Sequence, residues 1–251
     1  VVKWLRANGW PWNTTTCSWV EEGGHLEVLQ WARANGCEWN EWTFAFAAQG
    51  GHLEVLQWLR ANGCPWNAET CEAAALGGHL EVLQWLRANG CPWNRWTCAC
   101  AAHDGHLEVL QWSRANGCPW DSITCLWAAE GGHLEVLQWA HANGCQWDKS
   151  LYIAAGKGHE AVMRALIEAG ADVNTATAAG STPLFIAAGK GHESVVRALI
   201  DLGADINKAS FDGVTPLVKA TQEGHVAVVL ALIEADADIN KATDNGRTPL
   251  Y

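Results

Sequence analysis

Cysteine and histidine are the side chains in this sequence best suited to chemistry, and both recur at fixed intervals. Cys37, Cys64, Cys91, Cys118 and Cys145 follow one another every 27 residues. So do His25, His52, His79, His106 and His133, followed by His159 after 26 residues and by His192 and His225 after 33 each. Such residues hold metal ions or run redox and acid–base reactions when they converge on one point. A regular linear array spreads them out instead. There is no Cys-x-x-Cys pair, and Cys98 and Cys100, two apart on a helix, point to different sides. Packed helix layers lie about 10 Å apart, whereas a disulfide needs Cα atoms within ~7 Å. Equivalent cysteines of successive repeats therefore cannot bond, and the thiols are expected to be reduced, in an intracellular, cytoplasmic protein. His103 and Asp104 form a candidate acid–base pair, but no nucleophile stands beside them. No catalytic, cofactor-binding or metal-binding residue is assigned.

The elements carrying these residues follow from one unit. In Leu80 to Ala88, at about 100° per residue, Val82, Leu83, Trp85 and Leu86 fall on one apolar stripe, opposite Glu81, Gln84 and Ala88. Asn89-Gly90 then ends this amphipathic helix, and Pro92 prevents its resumption. A shorter helix precedes it, opened by the capping Asn67 and closed by Gly77-Gly78. One such hairpin cannot bury its own apolar face, so the units must stack.

Composition narrows the class. Hydrophobic residues make up 49% of the 251, charged residues 17%, and no apolar run approaches the ~20 residues of a membrane span. The formal net charge of −11 disfavours nucleic acid and anionic membrane, both of which select for clustered Lys and Arg. A neutral or basic protein partner for a monomeric array fits better. All 17 tryptophans and all ten cysteines lie within residues 1–147. That marks residues 1–147 as an array of 27-residue repeats, with 1–12 a partial repeat. Residues 148–251 follow with longer ones: a junction repeat at 148–173, two 33-residue repeats, and a truncated one at 240–251. Val1 aligns with Val28 inside a helix, and Tyr251 falls inside another, so the sequence reads as part of a longer array.

The run Thr182-Pro183-Leu184-Phe185-Ile186-Ala187-Ala188-Gly189-Lys190-Gly191-His192, continued by Val195-Val196, Leu199-Ile200 and Gly203-Ala204-Asp205-Ile206-Asn207, closely resembles the ankyrin repeat. Thr215-Pro216-Leu217 to Asn240, and Asn245-Gly246-Arg247-Thr248-Pro249-Leu250, repeat the match. The resemblance implies an all-α, ankyrin-type α-solenoid: antiparallel helix pairs stacked into one continuous curved array that binds other proteins. The 27-residue units resemble a shortened form. With the histidines aligned, the six residues 175–180 have no counterpart in them, and these six are the β-turn finger, expected only in the C-terminal repeats. Cys17, Cys71, Cys98 and Cys125 then replace the leucine of the ankyrin start, as small buried side chains.

Tryptophan forms two ladders, Trp4, Trp31, Trp58, Trp85, Trp112 and Trp139 on the helix stripe and Trp12, Trp39, Trp66, Trp93, Trp120 and Trp147 at the repeat exits. Both are expected in the core between repeats. Binding residues are sought where copies of the repeat disagree. The second residue after the cap reads Thr15, Trp42, Glu69, Trp96, Ile123; the residues before the glycine turn read Glu22, Gln49, Leu76, His103-Asp104, Glu130. By the resemblance both places lie near the concave face, with Trp42 and Trp96 as aromatic anchors. Phe211 and Asp212 sit at an expected finger tip. The function expected is a non-enzymatic protein-interaction scaffold. A structural spacer within a longer repeat protein is the alternative, and a Cys/His-based metal or redox protein a remoter one.

Overall fold

A computed structural model describes residues 24–147 and 149–249. Fifteen helices and no strand are found among them. They are α1 (Leu26–Ala34), α2 (Glu41–Gln49), α3 (Leu53–Ala61), α4 (Ala68–Leu76), α5 (Leu80–Ala88), α6 (Arg95–His103), α7 (Leu107–Ala115), α8 (Ser122–Gly131), α9 (Leu134–Ala142), α10 (Ser150–Lys157), α11 (Glu160–Glu168), α12 (Pro183–Lys190), α13 (Glu193–Asp201), α14 (Pro216–Gln222) and α15 (Val226–Glu234). The chain divides into two compact units, residues 1–124 and 125–251, the border falling inside α8.

In the first unit the opening helices of successive repeats pack side by side, α2 on α4 and α4 on α6, and each pairs with the helix that follows it: α2 with α3, α4 with α5, α6 with α7. In the second unit α10, α12 and α14 form the same row, paired with α11, α13 and α15. There α9, from the last short repeat, packs on α11 of the junction repeat. The core of both units is built of Leu, Val, Ala and Cys. Each unit is thus an all-α stack of antiparallel helix pairs, as expected.

The helix starts obey local chemistry. Asn40, Asn67 and Asn94 accept from the amides of Trp42, Glu69 and Trp96 at 3.0, 2.9 and 2.8 Å. Thr182 and Thr215 do the same for Phe185 and Val218, with Pro183 and Pro216 in the first turn. The second helix of each repeat instead starts at its histidine, which makes no side-chain cap. That side chain reaches across to the preceding repeat. His106 Nε2 lies 3.0 Å from the Leu76 carbonyl, and His159, His192 and His225 lie 2.9, 2.9 and 3.1 Å from those of Glu130, Gly156 and Gly189. A carbonyl only accepts, so Nε2 carries the proton. The ring also covers the preceding glycine turn: a Cβ on Gly78 would lie 2.5 Å from the His106 ring.

The second helices end alike. The amides of Gly90 and Cys91 donate to the carbonyls of Arg87 and Leu86 at 3.1 and 3.0 Å, a paired closure that needs a left-handed residue, and Gly90 supplies φ +82. Fingers follow only in the second unit among the described residues. They close by Thr177 N to Ser181 O (3.0 Å), Ser210 N to Val214 O (2.9 Å) and Thr243 N to Arg247 O (2.8 Å). In the short repeats the exit tryptophan runs straight into the next capping residue.

Two expectations are corrected. Trp4 and Trp12 lie outside the described residues; the described members of both tryptophan ladders are half-buried at the edges of the stack, not in its interior. The exit indoles Trp39, Trp66 and Trp93 have an edge on the helix tryptophan of the next repeat and a face under an arginine, which leaves a rim in solvent. Trp39 meets Trp58 at 5.6 Å and Trp66 meets Trp85 at 6.1 Å, while Arg33 and Arg60 lie over Trp39 and Trp66 at 3.9 Å each. Second, the thiols are not all reduced: Cys37 is disulfide-bonded. The spacing argument compared equivalent cysteines of successive repeats. Inequivalent cysteines within one repeat, such as Cys71 and Cys91, 20 positions apart, interact as well.

Asp236 has the one positive φ, +62, found outside glycine among the described residues, at the position where other repeats carry Gly90 or Gly203. Asp236→Gly is expected to stabilise the chain by about 1 kcal/mol, read as a higher urea midpoint by circular dichroism.

Candidate protein-binding surface

The repeat places its variable positions on the opening helices, whose caps fix where the first turn begins. In the first unit Trp42, Glu69, Trp96 and Ile123 stand at the same position of α2, α4, α6 and α8, one per repeat. Asn40, Asn67, Asn94 and Asp121 accept from their backbone amides. Trp42 is 53% exposed and Glu69 is exposed, whereas Trp96 and Ile123 are half-buried. The difference between the two tryptophans has a visible cause. The Arg95 guanidinium lies 5.3 Å from the Trp96 ring and is itself held by Asp121 at 3.0 Å, a clasp that covers one indole face. Trp42 has Glu41 at the position of Arg95.

At the other end of these helices Gln49 is exposed and Leu76 half-buried, its carbonyl taken by His106. His103 Nδ1 and Asp104 Oδ1 are 2.5 Å apart, with both side chains about two-fifths exposed, at 41% and 40%. The pair closes the C-terminus of α6, and its geometry is that of a local hydrogen bond between neighbours. Burial pushes the Glu72 carboxyl on α4 above its ordinary range, against the pull of a 2.8 Å hydrogen bond from Asn94 Nδ2, which favours the ionised form; Glu69 adds to the rise. The neighbourhood of Trp42 and Glu69 is therefore mixed apolar and acidic.

In the second unit Glu130 is half-buried, ion-paired with Lys157 at 2.9 Å, and its carbonyl receives His159. It belongs to the stack as much as to the surface. Phe211 is 75% exposed and Asp212 is exposed, at the tip of the 210–214 finger. Phe211 N donates to Ala179 O at 3.1 Å, and its ring lies against Gly180 of the preceding finger. The finger is tied down while the ring keeps most of its surface.

One patch escaped the sequence reading. On α15, Val226, Leu230 and Ile233 are 69%, 53% and 43% exposed and follow one another at helical spacing. The preceding repeats carry ion pairs at the first two of these positions, Glu160 with Arg164 at 2.8 Å and Glu193 with Arg197 at 2.9 Å. The exchange of Glu–Arg for Val–Leu was visible in the aligned repeats and was the signal to read.

Among the described residues no three His, Cys, Asp or Glu side chains are grouped as metal ligands, and no helix is long and apolar enough to cross a membrane. Compared with known families, the chain matches the models for ankyrin repeats in three copies over residues 125–210, for ankyrin repeats in many copies over 17–60 and 71–112, and for the ankyrin repeat over 212–244. It matches no curated protein.

Exposure separates surface tryptophans from supporting ones. Trp42→Ala is expected to leave the thermal midpoint within about 1 °C of the parent. Trp66→Ala, which strips contacts to Phe44, Trp85 and Arg60, should cost about 2 kcal/mol or more. Thermal unfolding followed by circular dichroism compares them.

Proposed function

The chain belongs to the ankyrin-repeat family, and from that premise we propose that it is a non-enzymatic protein-interaction scaffold whose partner docks on the opening-helix and finger surface. The observation carrying this reading is Trp42. A tryptophan 53% exposed on a packed helix leaves a large rigid apolar surface in water, in a chain whose other described tryptophans are all half-buried. Interfaces concentrate their binding energy on residues of this kind, ringed by polar neighbours that exclude water. Gln49 and Glu69 supply such neighbours in the first unit.

Phe211 supports the same reading independently in the second unit. A finger tip held by backbone hydrogen bonds presents its ring with little further loss of freedom on binding. The acidic balance, −11 over the chain, favours a partner with a neutral or basic face, steered by charge and hence sensitive to salt. Glu41 and Asp212, each adjacent in sequence to a proposed anchor, are the nearest acidic groups.

The test uses the intact chain as bait and the same chain carrying Trp42→Ala or Phe211→Ala, both checked for an unchanged thermal midpoint. A partner captured by the parent is expected to bind at least about tenfold more weakly to one of the variants, as a hot-spot truncation costs over 1 kcal/mol, and more weakly still at raised salt. If every captured protein binds parent and both variants equally, the scaffold reading on this surface fails and the spacer reading takes its place.

A further inference from the structure

The short repeats carry a cysteine on the first helix and another just past the end of the second: Cys71 and Cys91, Cys98 and Cys118, Cys125 and Cys145. Because the two helices run antiparallel, the beginning of one lies beside the end of the other. The thiols of Cys91 and Cys118 donate to the carbonyls of Asn67 and Asn94 at 3.4 and 3.3 Å, four residues before Cys71 and Cys98 on the first helix, and each exit thiol interacts with the helix thiol of its own repeat. All six are buried, Cys145 at 3% exposure and the rest at 0%. Cys37 occupies the same exit position and is disulfide-bonded; the residue 20 positions before it is Cys17, outside the described residues. The repeat at 40–66 breaks the pattern, with Phe44 at the position 20 before Cys64.

We propose that Cys71–Cys91, Cys98–Cys118 and Cys125–Cys145 are three separate sites of reversible oxidation by a small peroxide, each closing to a disulfide that ties the start of a repeat's first helix to the exit of its second. The oxidant must be small because the sulfurs are buried, yet the exit loops bring it near. Gly90 and Pro92, Gly117 and Pro119, and Gly144 and Gln146, which flank the exit cysteines, are all exposed, so a local opening of the loop suffices for entry.

The thiolate of the exit cysteine attacks one peroxide oxygen. An S–O bond forms as the O–O bond breaks, and the hydroxide released takes up a proton and leaves as water. The helix cysteine then gives up its proton and attacks the sulfenic sulfur. An S–S bond forms, the S–O bond breaks, and a second water leaves. Two thiols lose two electrons in total and one hydrogen peroxide becomes two waters. A dithiol reductant reverses the reaction by exchange, itself becoming a disulfide. Cys98 holds the Cys118 thiol below its ordinary range despite burial. The contacts with Cys91 and Cys145, and then burial, push Cys71 and Cys125 above theirs.

The intact chain, reduced and then held in hydrogen peroxide, is denatured, alkylated with N-ethylmaleimide, digested and weighed by mass spectrometry. Besides the disulfide at Cys37, linked peptide pairs are expected for 71 with 91, 98 with 118 and 125 with 145, each lighter by two hydrogens than its reduced form. Cys64 and Cys100 should carry the label; burial pushes the Cys100 thiol up to about 12, which keeps it protonated. Dithiothreitol should restore labelling at all six, and the oxidised chain should melt higher by roughly 5–10 °C. Cys118→Ser should abolish the 98–118 link alone, with an unchanged circular dichroism spectrum. Labelling of the six as complete as that of Cys100, links between repeats instead of within them, or sulfinic acids in place of disulfides would each overturn the proposal.

Discussion

A histidine lying on the glycine turn of the repeat before it is the contact on which the stack depends. A helix pair this short buries too little apolar surface to fold alone, so the layer-to-layer interface decides whether there is a protein at all. That interface must satisfy the carbonyls left over where each opening helix ends. The histidine does so by donating Nε2–H to one of them, at 2.9–3.1 Å in the four clearest cases. Its ring occupies the space that a side chain on Gly24, Gly51, Gly78, Gly132, Gly158 or Gly191 would need. Gly and His therefore act as one device split between neighbouring repeats. The device is common to the 27-residue and the 33-residue units.

What differs between the units is how the outer edge is tied. The long repeats extend fingers that bond to one another, as Phe211 N does to Ala179 O, and they bridge their exit loops by Asn174 Oδ1 to Asp205 N and Asn207 Oδ1 to Asp238 N, at 2.8 and 2.9 Å. The short repeats have no such reach. They substitute a row of indoles under guanidinium groups, Arg87 over Trp93 at 4.1 Å and Arg114 over Trp120 at 4.6 Å, with His141 stacked on Trp147 at 3.3 Å taking the role once. Tryptophan is thus spent at the rim, where its size bridges two layers, while small side chains fill the interior. The Trp42 side chain stands clear of both devices and the Phe211 ring keeps most of its surface, so both are open to a partner.

The order of helices, their caps and the finger were legible because each is written locally: an Asn or Thr before a helix, an Asn-Gly after it, six extra residues between two aligned histidines. The burial of the tryptophans was not, since apolar character alone does not distinguish an interior from a rim. Trp42 and Trp96 looked equivalent, and only the Arg95–Asp121 clasp, built from charges 26 positions apart, separates them. The cysteine pairs were hidden for a related reason. Comparison of equivalent positions between repeats cannot reveal contacts between inequivalent positions within one. The Val226–Leu230 patch is legible in the alignment of repeats, where Val and Leu replace the Glu–Arg pairs of the second helices rather than residues of the opening helices.

The central claim is that the histidine–glycine contact, and not merely the left-handed turn, holds successive repeats together. Gly78 and Gly90 have φ of +75 and +82, so alanine strains the backbone equally at either; a Cβ at Gly78 meets His106, whereas one at Gly90 meets nothing within 4 Å. The most direct measurement is the urea unfolding free energy of Gly78→Ala and Gly90→Ala, each in the parent and in a His106→Ala background. The expected result is that Gly78→Ala costs about 1–3 kcal/mol more than Gly90→Ala in the parent and that most of this excess vanishes without the imidazole. Equal costs at the two glycines, or an excess that survives the loss of His106, would contradict the account.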